Sequence, residues 1–360
     1  MIGIAWALRW HAVNRLPVDY DEDDYLRAAQ QNATLIRAGN WGGFLNTNYR
    51  PEHPPLEKIV YGVSILSAPQ EPLIPDLPTS APPNAALPRD LLHPARTASA
   101  VLGTIEVAVL ALVNPLAALF LGIHAFTIKY TSQVMLESLP ALTSLLAVVC
   151  YMRWKRKRTR KIDGWLVTSA AFLGLTAASK YLYCVAGVAI LVDWILEAIQ
   201  AKRLGKSILT MLCWGLVAVL IFLIFDPYLW PNPIARLQES ILNNVSYSSN
   251  SIEVQKAGYP FWQPFVWLSM SPYIWHPQAF YFAIDPLISA LAVFGLPGIW
   301  KKQRVYLLWF TTSLLFLLLW PTKWPQYIIT LTAPLSLLAA EGIMTVFVRP
   351  ITNWATKRQK

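Results

Sequence analysis

The stretch SILTMLCWGLVAVLIFLIF, residues 207–225, contains no charged residue and no proline. About 20 mainly apolar residues are needed to cross the roughly 30 Å hydrocarbon layer of a bilayer as a helix, so this stretch reads as a membrane span. Three basic residues, Lys202, Arg203 and Lys206, precede it, and the aromatic and proline-rich DPYLWPNP follows it. Similar apolar stretches recur near 97–113, 115–130, 134–152, 164–179, 181–199, 285–300, 305–320 and 327–347. The opening MIGIAWAL, within 1–13, reads as part of a first span. The expectation is an all-α polytopic membrane protein with about ten transmembrane helices.

Composition agrees with this reading. Of 360 residues, 55% are apolar and 14% charged, against roughly 25% charged in ordinary soluble domains. Cys150, Cys184 and Cys213 all lie in apolar runs without metal-ligand spacing, which excludes a disulfide framework or zinc knuckle as the organising device. The net charge of +10 has a topological explanation. Seventeen of the 30 basic residues fall in four clusters, seven of them in RWKRKRTRK (153–161) and the rest at 202–206, 301–304 and 349–360, each cluster two spans from the next. Basic residues in short loops mark the cytoplasmic side, so all four clusters belong there and no nucleic-acid partner is implied. By the same bookkeeping, 14–96 and 226–284 are two large extracytoplasmic loops carrying short interfacial helices, between spans at 97–225 and 285–347, with 348–360 as a cytoplasmic tail. The first loop is proline-rich from Pro69 to Pro94; the second is crowded with aromatic rings suited to the membrane interface.

The chemistry concentrates in the first loop. VDYDEDDYLRAA (18–29) places five carboxylates, Asp19 and Asp21 to Asp24, within six residues. Such a cluster is a solvated acidic face, or caps a helix, here one running to Gly39, or serves a reaction or a cation. Further on, NYRPEHPPLEKIVYG (48–62) groups Arg50, Glu52, His53, Glu57 and Lys58 around a rigid Pro54-Pro55 pair. Carboxylates and cations presented together at an interface suit a reaction on a phosphorylated lipid, where a base activates an acceptor and cations hold a departing phosphate.

These residues resemble the GT-C integral-membrane glycosyltransferases, in the branch of protein O-mannosyltransferases and aminoarabinose transferases of lipid A. The resemblance rests on DE-x-x-Y-x-x-A, here Asp21, Glu22, Tyr25 and Ala28, followed by HPPL, here His53 to Leu56. Weaker matches are Glu137 in QVMLESLPALTSLLAVVCY, GLTAASKY (174–181) and WPTKWPQY (320–327). The resemblance implies an inverting transfer from a polyprenyl-phosphate sugar donor to an extracytoplasmic acceptor of unknown identity, with the enzyme embedded in a bacterial cytoplasmic membrane. Asp21 is then the catalytic base, and Glu22, Tyr25, Arg50, Glu52, His53, Glu137, Lys180, Lys323, Gln326 and Tyr327 are candidate substrate contacts. Lys180 and Lys323 are the expected partners of the phosphate. No cofactor is certain; Glu52 and His53 are the residues a divalent cation would use. The alternatives are a secondary transporter, which should instead place its ionisable residues within spans, and a non-catalytic subunit of a polysaccharide-assembly system.

Overall fold

The computed structural model describes residues 1–75, 87–157 and 162–348. Every regular element among them is helical: α1 (Ile2–Arg15), α2 (Glu22–Arg37), α3 (Trp41–Asn46), α4 (Leu56–Ser64), α5 (Arg89–Ala111), α6 (Pro115–Ile123), α7 (Ala125–Tyr130) and α8 (Ser138–Lys155) are followed by α9 (Gly164–Ser179), α10 (Val185–Gln200), α11 (Leu204–Phe225), α12 (Pro233–Asn250), α13 (Ile252–Ala257), α14 (Gln263–Leu268), α15 (Asp285–Leu319) and α16 (Ile329–Ile343). Among the described residues, three stretches are both long and apolar enough to cross a membrane: Tyr181–Gln200, Leu204–Phe225 and Pro325–Val348.

Several boundaries depart from the sequence reading, each for a local reason. The apolar run 115–130 is two helices broken at His124. The Asp285 carboxylate accepts the N–H groups of Ala125 at 2.7 Å and Phe126 at 3.2 Å, capping α7 from a position 160 residues away. Helix α5 begins at Arg89, inside the segment expected to be loop, and accommodates Pro94 in its second turn. The runs 285–300 and 305–320 are, as expected, two helical segments of α15, separated where Gln303 leaves helical geometry (φ −154°, ψ 67°). Elsewhere the starts follow ordinary capping. The Asn114 side chain accepts from Leu116 and Ala117 ahead of Pro115, and Asp163 does the same for Trp165 and Leu166.

Basic residues gather at one end of the bundle. Asp193, buried on α10, accepts from Tyr151 at 2.7 Å and Arg304 at 2.6 Å and pairs with Lys155. Glu197 pairs with Lys155 and Arg203, and Glu341 with Lys302. Three of the four basic clusters therefore meet at the same end; Arg158, Arg160, Lys161 and the residues after Val348 lie outside the described residues. The acidic loop occupies the other end.

Helices α15 and α16 cross backbone to backbone. A Cβ built on Gly295 would lie 1.9 Å from the Leu338 carbonyl oxygen, and one on Gly342 would lie 2.0 Å from that of Leu291. Small residues permit this approach, from which membrane helices draw their packing energy. Gly295→Ala is expected to push the helices apart and lower stability by about 1–3 kcal/mol, read as a lower unfolding midpoint in detergent micelles; an unchanged midpoint would show that the crossing yields easily.

Candidate active site

The acidic cluster is divided by partners from distant parts of the chain. Asp19 pairs with Lys129. Asp24 accepts from Arg50 Nε at 2.7 Å and from the Tyr49 hydroxyl at 2.9 Å. Glu22 is fully buried and takes both arms of Arg96, Nε at 2.8 Å and Nη2 at 2.5 Å, together with the N–H groups of Asp19 and Val134. Both Glu22 oxygens are committed to this anchor, which ties α2 to α5 and to the 131–137 segment. The structure thus gives Glu22 a structural place in the protein interior instead of the expected substrate contact.

Asp21 stands apart. It occupies the N-cap position of α2 in left-handed geometry (φ 69°), yet its side chain makes no capping bond, and among the described residues its carboxylate has no hydrogen-bond partner. Burial first, then the negative charges of Asp24 and Asp19, push its pKa up to about 7, with Lys180 and Arg50 opposing. A carboxylate with this pKa is a competent base near neutrality. The capping reading of the cluster therefore fails for the residue best placed to cap.

The 48–53 turn brings Arg50, Glu52 and His53 to the same place. Arg50 also adopts positive φ (58°) and keeps its guanidinium on Asp24. The His53 ring meets Tyr25 edge-on, centroids 5.9 Å apart; burial, then Lys180, Lys58 and Arg50, hold its pKa well below the ordinary value, so the imidazole is neutral. The Glu52 carboxylate has no hydrogen-bond partner among the described residues. No group of three or more His, Cys, Asp or Glu side chains among the described residues is placed to hold a metal ion. Behind the turn, fully buried Glu57 accepts from Ser138 Oγ at 2.7 Å, Leu139 N–H at 3.0 Å and Tyr61 at 3.1 Å, docking α4 on the start of α8.

The later candidates separate into two groups. Glu137 accepts from Lys180 Nζ and the Tyr183 hydroxyl, both at 2.5 Å, and Lys180 lies 5.4 Å from the centre of the Tyr327 ring. Lys180 and Tyr327 also act electrostatically on Asp21 and Tyr25 respectively, which places this group beside the acidic loop. Lys323 belongs elsewhere. Its Nζ donates to the carbonyls of Leu317 (2.7 Å), Leu318 (3.1 Å) and Trp320, so all three ammonium donors close the end of α15. Lys323, expected to meet a phosphate, is here bonded to the end of a helix. Gln326 is partly buried in the short turn before α16 and has no side-chain bond among the described residues.

Residues 226–284 contribute what the sequence reading missed. Helix α12 lies across residues 45–52: Arg236 donates to the Leu45 carbonyl and to Asn46 Oδ1, both at 2.6 Å, Asn244 donates to the Glu52 carbonyl at 3.4 Å, and Ser240 meets Tyr181 at 3.2 Å. Tyr247 on the same helix donates its hydroxyl to Glu253 at 3.0 Å and is near enough to feel the charge of Asp21. Its helical spacing from Ser240 and Asn244 was the available signal, but nothing in the sequence shows which loop α12 covers.

No family model and no curated protein matches this chain. Among solved structures, it is similar to ArnT from Cupriavidus metallidurans bound to undecaprenyl phosphate, with a TM-score of 0.63 and 16% identity over 98% of this chain and 61% of that one. The apo state of the same protein gives a TM-score of 0.60 at 16% identity, covering 98% and 60%. The Saccharomyces cerevisiae protein O-mannosyltransferase Pmt1-Pmt2 complex bound to the sugar donor gives 0.47 at 18% identity, covering 65% and 33%. The chain thus spans about 61% of the ArnT chain it matches, and across that span it shares the ArnT fold.

Proposed function

We propose that this chain carries the catalytic part of a GT-C glycosyltransferase, which moves a sugar from a polyprenyl-phosphate donor to an acceptor hydroxyl on the extracytoplasmic side of a bacterial membrane. The observation that carries the reading is Asp21, a carboxylate without a hydrogen-bond partner among the described residues, with a pKa raised to about 7 and within electrostatic reach of the cations Arg50 and Lys180. The helical passes between the acidic and basic ends are then about ten, with the basic end cytoplasmic.

In this reading the acceptor oxygen attacks the anomeric carbon and passes its proton to Asp21. The carbon–oxygen bond to the phosphate breaks, and the phosphate leaves with the electron pair as a lipid monophosphate. One in-line displacement inverts the anomeric configuration. Arg50 and Lys180 meet the departing charge, each already oriented by a carboxylate, so little reorganisation is required as it develops. Tyr25, Tyr327 and Tyr247 provide flat apolar walls beside the base, and neutral His53 can donate or accept a hydrogen bond without adding charge.

The test is direct. Purified protein in micelles is given radiolabelled undecaprenyl-phosphate mannose or undecaprenyl-phosphate aminoarabinose and a membrane extract as acceptor. Label should leave the donor with release of undecaprenyl phosphate, and the rate should rise with pH through about 7 as Asp21 ionises. Turnover of a nucleotide sugar without lipid would overturn the donor assignment.

A further inference from the structure

Lys58 is fully buried, two residues into α4, and no carboxylate among the described residues pairs with it. Its Nζ donates instead to four neutral oxygens of one short turn: Asn48 Oδ1 at 2.5 Å and the carbonyls of Tyr49 at 2.9 Å, Arg50 at 3.0 Å and His53 at 2.8 Å. The turn closes on itself around this point. The Asn48 amide donates to the His53 carbonyl at 3.2 Å, and the His53 N–H donates to the Arg50 carbonyl at 3.1 Å.

Carbonyl dipoles aimed at a single point repel one another, and only a cation at that point makes the arrangement favourable. Burying an ammonium without a counter-ion is costly, and its pKa falls to about 7 because burial outweighs the more distant Glu52 and Asp226. An ion pair would have stabilised α4 more simply. What the four-oxygen cage supplies is a turn conformation: Arg50 is held at positive φ, rare for a residue with a side chain, and from there its guanidinium reaches Asp24 while the His53 ring comes against Tyr25.

We infer that Lys58 is a positioning residue whose ammonium shapes the 48–53 turn, and that donor use at the site depends on this cage although Lys58 itself never meets the substrate. The inference rests on the proposed transferase reading for its kinetic part and is independent of it for its structural part. In the test, Lys58→Met keeps the chain length and removes the charge, and Asn48→Ala removes one acceptor while leaving the ammonium and the carbonyls in place. Hydrogen exchange on each folded variant should show at least about tenfold faster exchange confined to 48–53 for Lys58→Met and a smaller rise for Asn48→Ala. Kinetics with undecaprenyl-phosphate sugar should show a raised donor KM, with the pH profile displaced toward higher pH where the loosened turn weakens the hold of Arg50 on the Asp21 charge. Should Lys58→Met fail to fold, Asn48→Ala alone decides. Unchanged exchange at 48–53, or faster exchange with unaltered donor kinetics, would overturn the inference. If wild type transfers no sugar, the transferase reading fails while exchange still reports on the cage.

Discussion

Replacing Asp21 with Asn is expected to reduce sugar transfer by about two or more orders of magnitude and, at pH 8, to make the protein more stable. Both effects come from one environment. The folded state raises this carboxyl from 3.8 to about 7, so folding favours its protonated form. The ionised form is therefore a cost to stability that is absent below pH 3.8, grows between 3.8 and about 7, and is complete above that. At about 1.36 kcal/mol per pKa unit a fully desolvated group would cost about 4 kcal/mol; because solvent reaches part of Asp21, a gain on the order of 1–2 kcal/mol is expected on neutralising it. Asn also tolerates the left-handed backbone at this position, so no strain confuses the comparison. Asp19→Asn should behave oppositely, losing the Lys129 pair and some stability while retaining most turnover. Unfolding midpoints in micelles and initial transfer rates check both; equal behaviour of the two variants would return the cluster to a solvated acidic face.

The second large effect falls on stability. Arg96→Met leaves Glu22, which is fully buried, without its two charged hydrogen bonds, and releases the carbonyls of Val13, Leu16 and Pro17 that Arg96 also binds at 3.2, 2.8 and 2.8 Å. Breaking one side of a buried pair typically costs about 3–5 kcal/mol, and here the loss would loosen α1, α2 and α5 together. Adding Glu22→Gln should recover part of it by removing the stranded charge. Chemical unfolding of the single and double variants measures the coupling; a loss under about 1 kcal/mol for Arg96→Met would show that the pair does not hold these helices.

The helical, membrane-embedded class of this chain was legible from local composition because apolar runs such as 207–225 have few alternatives in water or lipid. The gathering of basic residues at one end followed from their spacing by pairs of spans, and Asp21, Tyr25 and the 50–53 turn stood out through residue types that seldom occur together without chemistry. Which carboxylate of the cluster is free was not legible. That depends on Lys129, Arg96 and Arg50 claiming its neighbours, the first two from 110 and 74 positions away, and periodicity carries no information about such partners. The same limit explains Lys323, which looked like a phosphate ligand at a helix boundary until three carbonyls of α15 claimed its donors, and the break at His124, imposed by Asp285 from across the chain. The sequence by itself determined which residues could carry charge at the membrane surface; the tertiary structure alone decided which charges are spent on holding the fold and which, Asp21 and Asp23 in the cluster, are left without a distant partner, because neutralisation inside a protein is settled by what lies within hydrogen-bonding reach.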